Sequence, residues 1–239
     1  MHPSNHTVLI TGGATGIGLA LAGRFHAQGN HVILVGRTEA ALADAAKALP
    51  GVQTHAADIT LAADRERLLK RCPDVSVLIN NAGIRVDKHF DEVSEAELRA
   101  ELDVNFLAPI LLTQLFLPAL KQRPEAALIN VSSGVALWPR QAAAMYNASK
   151  AAMHSFTKSL RWQLDGSSVR VFEVLPPLVE SAMTAGRGRG KISPEQLADE
   201  FWAGYQADHF EMLIGKVKLL AWMRRLSPAF TDRTMRPPG

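Results

Sequence analysis

Cysteine is almost absent. Cys72 is the single one in 239 residues, which excludes an intrachain disulfide, and no Cys/His cluster stands ready to anchor a structural metal site. Aromatic residues are scarce at 6%, and only two are tyrosines. No charge of one sign dominates either. The 26 basic and 23 acidic residues are interspersed and leave a formal charge of +3, too small a surplus to imply nucleic acid as a partner. The one basic cluster, "GRGRGK" with Arg187, Arg189 and Lys191, has no aromatic interleaved for base stacking and reads as a solvated loop. The opening "MHPSNHTVLITG" lacks the basic start, apolar run and cleavage site of a signal peptide, so a cytoplasmic location is expected. His2 and His6 precede the first strand with no acidic or thiol partner; a disordered terminus is expected there, and no metal. The longest apolar run, Phe106 to Leu120, is interrupted by Pro109, Thr113, Gln114 and Pro118 and is shorter than the roughly 20 residues that cross a bilayer. It reads as a buried helix without stable membrane insertion.

What is present is an alternation. Short β-branched runs, "TVLIT", "HVILVG", "VQTHAA" and "VSVLIN", are separated by the amphipathic stretches Gly16 to Gly29, Thr38 to Leu49 and Leu61 to Arg71. The runs are continuously apolar, as expected where helices cover both faces of a parallel sheet. A long helix from about Ser94 to Lys121, the strand "AALINVS", a helix from about Met145 to Asp165 and the strand "SVRVFEVL" follow. The fold class is α/β: a single-domain Rossmann fold over residues 1–239, a doubly wound parallel sheet with helices on both faces. Residues 178–205, rich in Gly, Pro and charge, read as a substrate lid. At the C-terminus, "KVKLLAWMRRLSPAF" puts Leu219, Leu220, Met223 and Leu226 on one helical face, which is expected to pack on the core or a partner subunit.

"TGGATGIG", residues 11–18, follows the first strand and opens the first helix. In that context Gly12 makes the tight turn, while Gly16 and Gly18 let a pyrophosphate approach the positive end of the helix. The second strand ends in "LVGRT": Gly36 occupies the place where an acidic side chain would accept bonds from a free ribose 2′-hydroxyl, and Arg37 follows, able to pair with a 2′-phosphate. NADP(H) is therefore favoured over NAD(H). Further along stand "NNAG" at 80–83 and "YNASK" at 146–150. Tyr146 and Lys150 are one helical turn apart. In a shielded cleft, a cation about 5 Å from a phenol at an effective dielectric of about 20 favours the phenolate by about 3 kcal/mol, which would make Tyr146 a proton donor and acceptor near neutrality.

The order G-x-x-x-G-x-G, N-N-A-G, Y-x-x-x-K over residues 7–185 resembles the short-chain dehydrogenase/reductase family, and the double proline "LPPLVES" with the ending "FEMLIGKVKLL" looks most like its DltE-type oxidoreductase subgroup. The resemblance implies a single Rossmann domain and an NAD(P)-dependent carbonyl/alcohol oxidoreductase acting on a small molecule. It implies that Ile17 joins the three glycines at the cofactor, that Asn81, Ala82 and Gly83 support its adenine-ribose end, and that Asp58 contacts the adenine; a cap on the following helix is the rival role for Asp58. Tyr146 would be the acid/base, Lys150 would also hold the nicotinamide ribose, Ser133 rather than Ser132 would orient the substrate oxygen, and Asn105 would support a water that supplies protons. For Asn105 the rival is a buried amide bonded to backbone. Val179 and Ser181 would match the family segment that fixes the nicotinamide amide, with Pro177 in place of its usual glycine. Relatives pair through the helices carrying Asn105 and Tyr146, which implies a homodimer or homotetramer. Two other classes stay open: a regulatory protein that senses NADP without turnover, and a sugar-nucleotide epimerase or dehydratase, for which the segment after Leu178 leaves little room.

Overall fold

Side chains alternate across a strand, so a strand apolar at every position must be covered on both faces. The computed structural model, which describes residues 1–226, shows how this is met. Strands β1 (Thr7–Thr11), β2 (His31–Gly36), β3 (Gln53–Ala56), β4 (Val77–Asn80), β5 (Ala126–Val131), β6 (Val169–Leu175) and β7 (Glu211–Leu213) form one parallel sheet in the order β3-β2-β1-β4-β5-β6-β7. Val8, Ile10, Ile79 and Phe172 point into one core with α1 (Gly16–Ala27), α2 (Glu39–Ala48) and α7 (Pro194–Gln206). Leu9, Ile33, Leu78 and Val171 point into the other, with α3 (Ala62–Arg71), α5 (Ala108–Lys121) and α6 (Ala144–Gln163). The chain winds outward from β1 to β3, then returns to β4 on the other flank of β1. That reversal opens a crevice at the carboxyl ends of β1 and β4, and the glycine loop, "NNAG", Ser133 and "LPPLVES" all leave their strands at this edge.

The long helix begins with a capping box: Ser94 Oγ accepts from the Glu97 N–H while the Glu97 carboxylate accepts from the Ser94 N–H. It runs as α4 (Glu95–Leu102), one π turn (Asp103–Leu107) and α5, the Ala108 N–H reaching back to the Asp103 carbonyl. These 27 residues are long and apolar enough to cross a membrane by length and composition. Here Leu112, Phe116 and Leu120 pack on the sheet, whereas Leu107 and Leu111 are exposed, so the apolar run is buried on one side only.

Three expectations change. The stretch 178–205 is not one lid: its second half is α7, whose Leu197, Phe201 and Tyr205 are fully buried. Phe25 of α1 meets Phe201 at 6.0 Å, Trp202 at 5.1 Å and Tyr205 at 5.4 Å between ring centroids. The loop composition ends at Ser193, which caps α7 by accepting from the Gln196 N–H. The first residues are ordered. His6 is buried with Nδ1 3.1 Å from Ser76 Oγ, and the terminal ammonium pairs with Asp208 at 2.8 Å. Finally, α8 (Lys216–Leu226) buries Val217 and packs Leu220 and Ala221 against Trp138 and Leu175, leaving Leu219 and Leu226 exposed. Two stripes of this helix fit the same period, and the chain enters it with Val217 inward. Residues 227–239, the end of the stretch read as that helix, lie outside the described residues.

Candidate active site

Gly12 has φ +62°, the left-handed region, and a Cβ there would lie 3.0 Å from both the Ala82 Cα and the Asn81 Nδ2. Only glycine turns the chain at this spot without strain. A Cβ on Gly18 would lie 2.2 Å from the Gly12 carbonyl oxygen, so the helix starts pressed against the loop. Asn81 ties the two halves of the crevice together: its Nδ2 donates to the carbonyls of Thr11 and Gly12, both at 3.0 Å, and its N–H donates to Thr11 Oγ1. Thr15, the residue before α1, makes no side-chain cap, so the first N–H groups of the helix face the crevice free for an anion.

Beside this loop lies a cavity of about 140 Å³ lined by Gly12, Gly36, Arg37, Asp58, Ala82, Gly83 and Ile84, among others. Arg37 is exposed on its wall. Asp58 serves its own turn, Oδ1 accepting from the N–H and hydroxyl of Thr60; it does not cap α3, whose first residue follows Leu61, and the carboxylate lines the cavity. Gly16 faces Ser181, where a Cβ would be 3.4 Å from the Ser181 Cβ, and Ile17 packs on the adjoining core. Glycine at the approach, an open helix N-terminus and a cation on the wall of a cavity with apolar sides together fit a dinucleotide.

Tyr146 and Lys150 come from the first turns of α6. The residue before it, Ala143, has φ +56°, and Asn147 holds that turn by donating from Nδ2 to the carbonyls of Arg140 and Ala142. Beneath, a chain of buried bonds fixes α5 and α6 to the sheet: Asn80 donates to Thr113 Oγ1 and Asn130 Oδ1, and Asn130 donates to Thr157 Oγ1. Ser132 is spent inward, donating to the Val174 carbonyl at 3.3 Å, while Ser133 stays beside the phenol. Asn105 accepts from the Ile84 N–H at 2.8 Å and donates to the Ile84 carbonyl and to Ser149 Oγ; Ser149 in turn donates to the Tyr146 carbonyl. Its amide is thus bonded mainly to backbone, and it pins the strand-end loop to α6. Val179 is buried and bridges to Ile192, while Ser181 and Thr184 cap the short turn that follows.

The electrostatics differ from the sequence expectation. Lys150 is buried, donates from Nζ to the Val131 carbonyl at 3.0 Å, and lies 5.8 Å from the Tyr146 ring centroid. Burial pulls its pKa down to about 8, opposed by the buried Glu173 carboxylate. Burial pushes the Tyr146 phenol above its ordinary value; the Ser133 hydroxyl, Arg85 and Arg187 pull the other way. The cleft desolvates phenolate and ammonium alike, and that cost exceeds the Coulomb gain assumed for the pair. The phenol therefore keeps its proton at neutral pH.

Sequence reading passed over Arg85, Asp87 and Glu101. Arg85 sits 5.6 Å from the Tyr146 ring centroid and grips Asp87, and Glu101 is buried with Oε1 accepting from the Val86 N–H. The signal was faint: an Arg-x-Asp one residue past "NNAG" and one acid on an inward helical position. The pairing of His154 with Glu173 at 2.7 Å was equally invisible.

A family model for short chain dehydrogenases matches residues 6–191. The uncharacterised oxidoreductase DltE of Bacillus subtilis is 42% identical over 216 residues, 87% of this chain and 85% of that protein. A short chain dehydrogenase from Burkholderia cenocepacia in complex with NADP superposes with a TM-score of 0.90 at 28% identity, covering 100% of both chains. A 3-ketoacyl-(acyl-carrier-protein) reductase from Brucella melitensis complexed with NADH gives 0.78 at 29%, covering 83% of this chain and 89% of that one.

Proposed function

The chain belongs to the short-chain dehydrogenase family, and from that premise we propose that it is an NADP(H)-dependent oxidoreductase interconverting a carbonyl and an alcohol on a small molecule, with Tyr146 as acid and base. The observation that carries this reading is the meeting of the Tyr146 phenol, the Ser133 hydroxyl and the buried Lys150 ammonium beside Gly83, which also lines the dinucleotide cavity. A Cβ on Gly83 would stand 3.7 Å from Lys150 Nζ, so the cavity and the reactive side chains share one wall.

The nicotinamide cofactor supplies the hydride in the direction of reduction. As the carbonyl carbon is reduced, its oxygen gains negative charge; Ser133 Oγ and Tyr146 Oη hold that oxygen, and Tyr146 gives it a proton. A phenol that retains its proton is the right starting state for this direction. The ammonium of Lys150 then stabilises the phenolate left behind, and its lowered pKa makes it a ready proton source. Asn105 holds the Ile84 loop and the Tyr146 turn in register during the exchange. Gly12, Gly16, Ile17 and Gly18 take the pyrophosphate, Asp58, Asn81 and Ala82 the adenosine side, and Val179 and Ser181 the nicotinamide side.

NADP(H) is the proposed form because Arg37 stands on the cavity wall and Gly36 supplies no carboxylate to repel a phosphate. Arg37→Ser is expected to weaken NADPH binding about 10- to 100-fold, the worth of a charge-assisted bond, and to leave NADH binding nearly as it was. Fluorescence titration with both cofactors checks it; equal losses for the two would remove the phosphate contact.

The pH dependence follows from Lys150. Its folded-state pKa is depressed to about 8, so the ammonium is present below that pH and is lost as pH rises through it. The profile of kcat/KM for NADPH, which reports groups of the free enzyme, is expected to fall above pH of about 8, and a flat profile to pH of about 10 would contradict the role given to this group.

Two or four copies pair in this reading, with the exposed Leu107 of the π turn, Leu111 of α5 and Trp162 of α6 supplying apolar area for the contact. A single, buried, unpaired cysteine suits a reducing cytoplasm as its place of work.

A further inference from the structure

At the mouth of the crevice two arginines from distant parts of the chain share one carboxylate. Arg85, on the loop after β4, places Nε and Nη2 each 2.8 Å from Asp87 Oδ1. Arg187, from the glycine-rich segment after β6, pairs with Asp87 Oδ2. The three side chains keep 17%, 28% and 40% of their surface exposed, so this is a solvent-reachable cluster rather than a core ion pair. Both guanidinium charges are felt by the Tyr146 phenol, and that of Arg85 lies over its ring.

We propose that the substrate carries a carboxylate close to its carbonyl, and that Arg85 and Arg187 hold it where Asp87 now sits. This rests on the oxidoreductase reading above and names the substrate class for the same site. Two cations against one exposed carboxylate leave positive charge unspent at the cleft mouth; the other nearby acid, Glu101, is buried and committed to the Val86 N–H. A guanidinium fork is the geometry that recognises a carboxylate, and Asp87 shows one already seated between the two forks. Exposed ion pairs contribute little net free energy, so a substrate carboxylate exchanges with Asp87 at small cost. A neutral carbonyl compound gains nothing from either arginine. The phenol under Arg85 then meets the carbonyl of a molecule anchored at its charged end.

The test uses the full chain with NADPH and matched pairs: acetoacetate and levulinate, each against its methyl ester. The acid is expected to exceed the ester in kcat/KM by about 3- to 10-fold, and that ratio to collapse towards one in Arg85→Met and in Arg187→Met. Arg187→Lys, which keeps the charge but loses the fork, should recover part of it. A ratio near one in the unaltered protein, or a ratio that neither variant moves, overturns the proposal. Calorimetric titration of butyrate and butyramide into the NADPH complex reads the anion site without turnover. Butyrate binding that vanishes in Arg85→Met, with no carbonyl reduced, would leave the anion site standing and remove the oxidoreductase reading. Ketone turnover without butyrate binding would do the reverse. Asp87→Asn, which removes the resident carboxylate, should tighten butyrate several-fold; weakening equal to that of the arginine variants would make the cluster a mere pin between two loops and sink the inference.

Discussion

Replacing Tyr146 by phenylalanine is expected to lower kcat about 10²- to 10⁴-fold while NADPH still binds, the span usual for loss of a positioned acid or base. The substitution deletes a single oxygen. The ring remains under Arg85 and beside Lys150, α6 keeps its backbone, and Ser149 still donates to the carbonyl of residue 146. What disappears is the proton that a developing alkoxide needs. The measurement is single-turnover oxidation of bound NADPH by a reducible carbonyl, alongside cofactor affinity by fluorescence. Turnover within tenfold of the original would take the acid/base role from this residue, and loss of cofactor binding would show that the ring is structural.

The second large effect is on stability. Phe201→Ala is expected to cost about 3–5 kcal/mol, a fall in Tm on the order of 10 °C for a chain of this length. Phe201 is 0% exposed and meets Phe25 at 6.0 Å and Tyr205 at 5.6 Å between centroids. Truncating the ring leaves a void that the neighbouring rings on α1 and α7 cannot close together. Differential scanning calorimetry reads the shift. Were residues 194–206 part of a mobile cover over the substrate, the same substitution would change KM and leave Tm almost untouched.

The legible part of the molecule was the part fixed by short-range spacing. Gly12, Gly16 and Gly18 are set by one loop and one helical turn, and Tyr146 and Lys150 by one more, so their neighbourhood follows from the chain itself. The continuous apolar strands announced a sheet covered on both sides because no other arrangement hides every residue of "TVLIT" or "VLIN". The other tyrosine shows the same rule from the opposite side: Tyr205 has His209 rather than a lysine four positions on, and it stacks within the aromatic core. The Arg85–Asp87–Arg187 cluster depends on two loops meeting across about 100 residues, which composition does not encode. On α8 the expected stripe of Leu219, Leu220, Met223 and Leu226 divides, Leu220 packing on the core with Val217 and Ala221 while Leu219 and Leu226 stay exposed, because both sets satisfy the same period. His6 was set aside for lack of a ligand set, yet its partner is Ser76, on the far side of β1 in sequence.

The π turn at 103–107 makes the long helix out of phase with itself. A regular helix rotates about 100° per residue, and a π turn carries one residue more than the regular turn it replaces. Were all the residues of this stretch wound as a regular helix instead, the surplus position would swing Glu101, with the Val86 N–H it holds, about a quarter of the way around the axis relative to Leu112 and Phe116. The loop bearing Arg85 would lose its anchor although no residue that touches it had been changed. The winding of 103–107, together with the amide of Asn105, sets the roof of the cleft.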